Sequence, residues 1–268
     1  DTLIRYLWRQ KGKEIRPLLV FLSARLFGEI GRRSHIASTM VELLHTATLI
    51  HDDVVDEAGS RRGFLSINRL WRNKAGVLLG DYLLSKGLLV ALENREYELL
   101  RILSDAVRQM SEGELRQLKT ARLQNMTEER YFKIISEKTA SLIAACCACG
   151  AESALDEACG DRTEGVDRMR RAGLHIGVAF QIKDDLLDYG QGDIGKPKRN
   201  DIRERKVTLP LIKALQNADP SEAKSLLRLF QKRRKSGEQI EQIVRFVREN
   251  GGVESSELAM NEQMEAAL

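Results

Sequence analysis

Two stretches of this chain share one grammar: Asp52-Asp53-Val54-Val55-Asp56 and, 132 residues later, Asp184-Asp185-Leu186-Leu187-Asp188. Each joins an aspartate pair to two aliphatic residues and a third aspartate, and each closes a long apolar pattern of helical period. On a helix the first and third acids of such a run lie one above the other on one face. Three carboxylates within about one turn repel one another unless positive charge sits among them. Hard oxygen donors suit Mg²⁺, which takes one or two carboxylates and fills its other positions with water and phosphate oxygens. One such run alone is ordinarily a solvated helix end. A second copy, with the same aliphatic filler and the same apolar lead-in, points to two acidic helix ends facing each other across a magnesium-bound diphosphate.

The rest of the chain has to build helices around those ends. Its 268 residues contain only four prolines, few aromatics and no Pro/Gly/Ser-rich linker, so a single large all-α helical body over residues 1–268 is expected. The net charge of +4 is spread over interleaved acids and bases, which excludes a nucleic-acid-binding surface; Lys232-Arg233-Arg234-Lys235 reads as a solvated helix end. Cys146, Cys147, Cys149 and Cys159 lack zinc spacing and read as small buried residues of a reduced, cytoplasmic protein. The longest apolar run, about 140–151, is too short to cross a bilayer, so no membrane span is expected, and contact with lipid would be peripheral, for product release. The sequence starts without methionine and stops inside a helical pattern, so shortening at both termini is expected.

In chain order, a short helix and a basic link, Lys11-Gly12-Lys13-Glu14-Ile15-Arg16-Pro17, lead into a helix from about residue 18, with Pro17 suited to its first turn. Lys13 and Arg16 then stand just before a helix N-terminus, where backbone N–H groups also favour anions. A helix over about 35–56 carries His45, two turns before Asp52 on nearly the same face. The loop after Asp56 brings Arg61-Arg62, whose guanidinium forks match phosphate. Helices follow over about 74–93, 98–119 and 127–150, the last bearing Lys138-Thr139. A helix over about 162–189 holds Phe180, Gln181 and the second aspartate run. Residues 190–205 are rich in glycine and charge, as a lid over an anion would be. The remainder, 208–268, is amphipathic helix.

With these residues in view the chain resembles the trans-isoprenyl diphosphate synthases, or polyprenyl synthetases, most closely those making medium and long chains. The resemblance rests on Gly12-Lys13-x-x-Arg16-Pro17, on His45 before the first aspartate pair, and on D-D-x-x-D-x-x-x-x-R-R-G from Asp52 to Gly63. It continues through Lys138-Thr139, F-Q-x-x-D-D-x-L-D from Phe180 to Asp188, Gly195-Lys196-Pro197 and Lys206-x-Thr208-Leu209-Pro210. It implies an all-α helical bundle with a central cavity between antiparallel helices, and a Mg²⁺-dependent prenyltransferase in which Asp52, Asp56, Asp184 and Asp188 hold about three magnesium ions. By the same resemblance Lys13, Arg16, His45 and Arg62 bind isopentenyl diphosphate. Arg61, Lys138, Thr139, Gln181, Lys196 and Lys206 bind the allylic diphosphate, farnesyl diphosphate being the expected primer. Asp53 and Asp185, with Lys138 and Lys196, complete the catalytic set. The resemblance also implies a homodimer and a product used as a quinone side chain. Arginines at 199 and 205 depart from the family, which usually has glycine at both positions.

The product tail is expected to run back along the helix before Asp52. Ala47 and Thr48 lie about one turn below the acids and Leu44 about two, each turn of about 5.4 Å matching roughly one isoprene unit. Small residues at 47 and 48 leave that path open, where short-chain members carry bulky aromatics, and a product of about seven to ten units is expected on the same scale. Three alternatives are a shorter-chain farnesyl or geranylgeranyl diphosphate synthase, a class I terpene cyclase and a non-catalytic synthase subunit. A cyclase would not need Lys13, Arg16 and His45, and a silent subunit should have lost carboxylates that both runs here retain.

Overall fold

The computed structural model describes residues 14–55, 60–61, 64–65, 67–123, 126–155, 162–190 and 199–268. Twelve α-helices account for nearly all of them: α1 Ile15–Phe27, α2 Arg32–Val55, α3 Ile67–Glu93, α4 Tyr97–Leu123, α5 Glu128–Ile135, α6 Ser141–Ala154, α7 Arg162–Leu187, α8 Asn200–Glu204, α9 Leu209–Asn217, α10 Pro220–Phe230, α11 Gly237–Glu249 and α12 Gly252–Ala266. A single π-helical turn, Ser136–Ala140, joins α5 to α6. The one sheet among the described residues is a two-residue ribbon in which Ser60–Arg61 pairs antiparallel with Phe64–Leu65. The expected all-α class holds.

Helix boundaries follow local chemistry. Pro17 sits in the first turn of α1, where its missing N–H is harmless, and Gly28 closes that helix by donating its N–H to Ala24 O. The Thr127 side chain caps α5 by accepting from Arg130 N, with Glu128 and Glu129 in the first turn where the helix dipole favours acids. Asp219 caps α10 ahead of Pro220, and Ser236 with Gln239 forms a reciprocal capping box on α11. Arg16 falls inside the first turn of α1 rather than before it, because the helix begins at Ile15.

The chain divides into two compact units, residues 1–105 with 145–170, and residues 106–144 with 171–268. All three chain passages between them fall within helices, not linkers. In the first unit Val20, Ala24, Ala37, Met40, Val41, Leu44, Ala47 and Ile50 are buried, together with Cys146, Cys147 and Cys149. In the second, Tyr189, Ile202, Leu211, Phe230, Ile243 and Val247 form one core, and Tyr131, Ile135, Val178, Ile182 and Leu209 form another. Two helical stretches, 73–93 and 128–154, are longer and more apolar than the sequence run around 140–151 indicated, enough to cross a membrane on those grounds alone. The second is mostly buried, as a core helix of a folded domain would be, whereas the first is mostly exposed.

Candidate active site

The first aspartate run ends α2. Asp52 is half-buried and Asp53 buried at 7% exposure. Their helix lies against α3 through glycines: a Cβ at Gly76 would come within 2.7 Å of Val54, and one at Gly80 would collide with the His51 ring. His51 Nε2 lies 3.3 Å from Val77 O and 3.4 Å from Asp81 Oδ1. Both are acceptors, so Nε2 carries the ring proton. Further back on α2, Leu44 and Ala47 are buried, His45 and Thr48 half-buried, and the Thr48 hydroxyl donates to His45 O at 2.9 Å. Arg61 lies in the first strand of the ribbon. Lys13, Asp56, Arg62 and Lys196 lie outside the described residues.

The second run ends α7, in the second unit. Here the three acids have different surroundings. Asp184 is exposed, and among the described residues nothing hydrogen-bonds to its carboxylate. Asp185 is 1% exposed and uses both oxygens: Tyr131 Oη donates to Oδ2 at 2.7 Å and Gln181 Nε2 to Oδ1 at 2.9 Å, with Lys206 Nζ 3.6 Å from Oδ1. Asp188 accepts from Asp201 N at 2.7 Å. Gln181 is a bridge, since its Oε1 also accepts from Thr139 Oγ1 at 2.9 Å. Lys138 is ion-paired with Glu114, and Arg116 forks onto Glu137 at 2.8 and 3.2 Å.

Lys138 and Thr139 occupy the π-helical turn, a form often found at functional positions. Two glycines accommodate it. On α4, a Cβ at Gly113 would fall 2.8 Å from Lys138 N; on α7, one at Gly177 would fall 2.5 Å from the Ala140 Cα. The turn thus fits where neither neighbouring helix carries a side chain.

Burial and mutual repulsion set the electrostatics of this acidic cluster, with one lysine among the carboxylates. Partial enclosure of its carboxyl raises Asp184 above its usual range and Asp201 adds to this, against a downward pull from Lys206. Burial likewise raises Asp185, only partly offset by Lys206, Tyr131 and Gln181. Asp188 is raised by burial despite the N–H of Asp201. Burial pulls Lys206 down, but Asp185, Asp201 and Asp184 outweigh it and the ammonium ends above its ordinary value. Among the described residues no three metal-binding groups converge on one point. An ion here would therefore draw on water and phosphate oxygens, as Mg²⁺ does. Asp184 fits a ligand role, Asp188 retains one oxygen for it, and Asp185 does not, both its oxygens being taken.

Three groups beyond those read from the sequence belong to this machinery. Tyr131 anchors Asp185 from 54 residues away, Asp201 engages both Asp188 and Lys206, and His51 seats the first run on α3. Only Asp201, inside the charged stretch after α7, lay where the sequence drew attention.

A helical protein with an acidic helix end flanked by an ammonium, a hydroxyl and an amide, as at the end of α7, belongs to a class suited to diphosphate esters and their cations. Residues 1–247 match the polyprenyl synthetase family, and the chain belongs to it. It is 36% identical over 217 residues to the octaprenyl diphosphate synthase of Escherichia coli (strain K12), covering 80% of this chain and 66% of that protein. Among solved structures, a decaprenyl diphosphate synthase from Rhodobacter capsulatus has a TM-score of 0.89 at 36% identity, covering 98% of this chain and 80% of that one. A polyprenyl synthase from Caulobacter crescentus CB15, complexed with calcium and isoprenyl diphosphate, has a TM-score of 0.84 at 34% identity, covering 96% and 77%. The chain spans about two thirds of the length of the E. coli relative.

Proposed function

We propose that this protein is a trans-polyprenyl diphosphate synthase, joining an allylic diphosphate head-to-tail to successive isopentenyl diphosphates. The observation that carries this is the division of labour in the second aspartate run: an accessible Asp184 beside an Asp185 tied down by Tyr131, Gln181 and Lys206. That arrangement presents acid to a cation and holds an ammonium beside it.

The residues divide the chemistry among them. Asp52, Asp56, Asp184 and Asp188 would hold magnesium, which when bound would supply positive charge to the departing diphosphate. Lys138, Thr139, Lys196, Lys206 and Arg61 grip the allylic diphosphate, with Gln181 fixing Thr139. Lys13, Arg16, His45 and Arg62 grip isopentenyl diphosphate. The allylic C–O bond breaks and its electron pair leaves with the diphosphate, the charge on which these cations stabilise. The double bond of isopentenyl diphosphate attacks the resulting allylic cation, forming the new C–C bond. A proton then leaves the adjacent carbon for the released diphosphate, and a new double bond forms. Surrounding helices keep water from the cation.

The tail runs back along α2 past Thr48. Because Ala47 is nearly fully buried and Thr48 only half, Thr48 is the better placed to line its path. A product of about seven to ten units follows from a path of about 5.4 Å per turn left open at 47 and 48. We assign the exposed apolar side chains of α3, including Leu78, Tyr82, Leu89 and Leu92, to a second copy of the chain, making a homodimer. The buried thiols of Cys146, Cys147 and Cys149 are unpaired, in keeping with a reducing, cytoplasmic setting. Purified protein incubated with Mg²⁺, farnesyl diphosphate and labelled isopentenyl diphosphate should yield long prenyl alcohols after dephosphorylation. No incorporation, or a single cyclic hydrocarbon, would refute the assignment.

A further inference from the structure

We propose that Asp201 is the positioning residue that keeps Lys206 off the magnesium-binding acids of the second aspartate run. This inference rests on the function proposed above. The backbone N–H of Asp201 fixes Asp188 at 2.7 Å, and its carboxylate Oδ1 lies 3.4 Å from Lys206 Nζ, which is also 3.6 Å from Asp185. The Lys206 N–H returns to Asp201 O at 2.8 Å. The six residues 201–206 therefore form a closed loop that holds an ammonium between two carboxylates.

The loop has little freedom to move away. It contains α8, flanked by Arg199 and Arg205, which both have left-handed backbone, with φ of 49° and 62°. Arg199 is pinned by donating to Asp188 O and lying 3.7 Å from Glu241, its side chain only 11% exposed. Ile202 is fully buried beside Tyr189, Leu211 and Phe230.

The consequence concerns competition. Asp184 is exposed, and no hydrogen bond to its carboxylate is found among the described residues. Without the Asp201 carboxylate, Lys206 keeps one strong partner and becomes free to swing toward Asp184. An ammonium there occupies the charge that a divalent cation needs. Asp201 thus protects the metal site by giving its nearest cation somewhere else to be.

The test compares wild type with Asp201→Asn, Asp201→Ala and the double variant Asp201→Ala/Lys206→Met. Titration calorimetry with inorganic pyrophosphate at several Mg²⁺ concentrations reads binding directly, and the Mg²⁺ concentration for half-maximal turnover is read in parallel. The account predicts that Asp201→Asn and Asp201→Ala each raise the Mg²⁺ requirement by about tenfold, the scale of coupling between contacting charges. It also predicts that Lys206→Met in the Asp201→Ala background returns that requirement toward wild type, although turnover stays low. Thermal midpoints should stay within a few degrees of wild type. Unchanged Mg²⁺ dependence in both single variants, or no return in the double variant, overturns the role of Asp201. Wild-type protein that binds magnesium pyrophosphate but makes no prenyl chain would instead refute the proposed function and leave the Asp201 result readable by calorimetry.

Discussion

The two aspartate runs share a sequence but are supported differently. At the end of α2 the support described combines close packing with local polar contacts: Gly76 and Gly80 of α3 admit Val54 and the His51 ring, and His51 Nε2 lies 3.3 Å from Val77 O and 3.4 Å from Asp81 Oδ1. At the end of α7 the support is a polar network drawn from α5, α7 and the segment around α8, with Tyr131, Gln181, Asp201 and Lys206 as its members. In both runs the second acid of the pair is the buried one, Asp53 at 7% and Asp185 at 1% exposure, while the first is more accessible. The repeated motif therefore places one acid inward and one outward at each helix end, and the proposed function assigns ligand contact to the outward one. Its letters do not say which environment does the orienting.

That contrast can be broken experimentally, beginning with the largest effect. Replacing an outer acid, Asp52→Ala or Asp184→Ala, should lower kcat by about a hundred- to a thousandfold, the range seen when one group stabilising developing charge is removed, with little change in thermal midpoint. Gly80→Ala should damage the first run alone: the new methyl meets His51, at a cost of about 1–3 kcal/mol in stability, and adding His51→Ala should recover part of the activity. Tyr131→Phe should damage the second run alone, costing about 1.5–3 kcal/mol for a hydrogen bond lost from a buried carboxylate, seen as a lower midpoint in denaturant titration. Thr48→Phe should change the rate of the first condensation least of all while shortening the product, which chromatography of the dephosphorylated chains would show. An unchanged chain length there would remove the path along α2.

Much of this was legible in the sequence because helices write their period into apolar spacing. The long helices were found with ends displaced by a few residues, α3 most, starting at Ile67 rather than near residue 74. The π-helical turn was not legible, because Gly113 and Gly177, which make room for it, lie far from it in sequence and look like ordinary helix glycines. Tyr131 was missed for the same reason, its partner being 54 positions away. Arginines 199 and 205 were visible as departures from the family, and the backbone explains why glycine suits those positions: both are left-handed, a strain of about 1 kcal/mol for a residue with a side chain. At Arg199, the bond to Asp188 O offsets part of it.

The proposed synthase activity requires both aspartate runs to act on one diphosphate. A double-mutant cycle on binding tests it most directly, measuring the affinity of an unreactive farnesyl thiodiphosphate with Mg²⁺ for wild type, Asp52→Ala, Asp184→Ala and the double variant. A shared ligand predicts that either single substitution loses nearly as much affinity as both together. Losses that simply add, or a substitution that leaves affinity untouched, would mean that the two runs act on separate ligands.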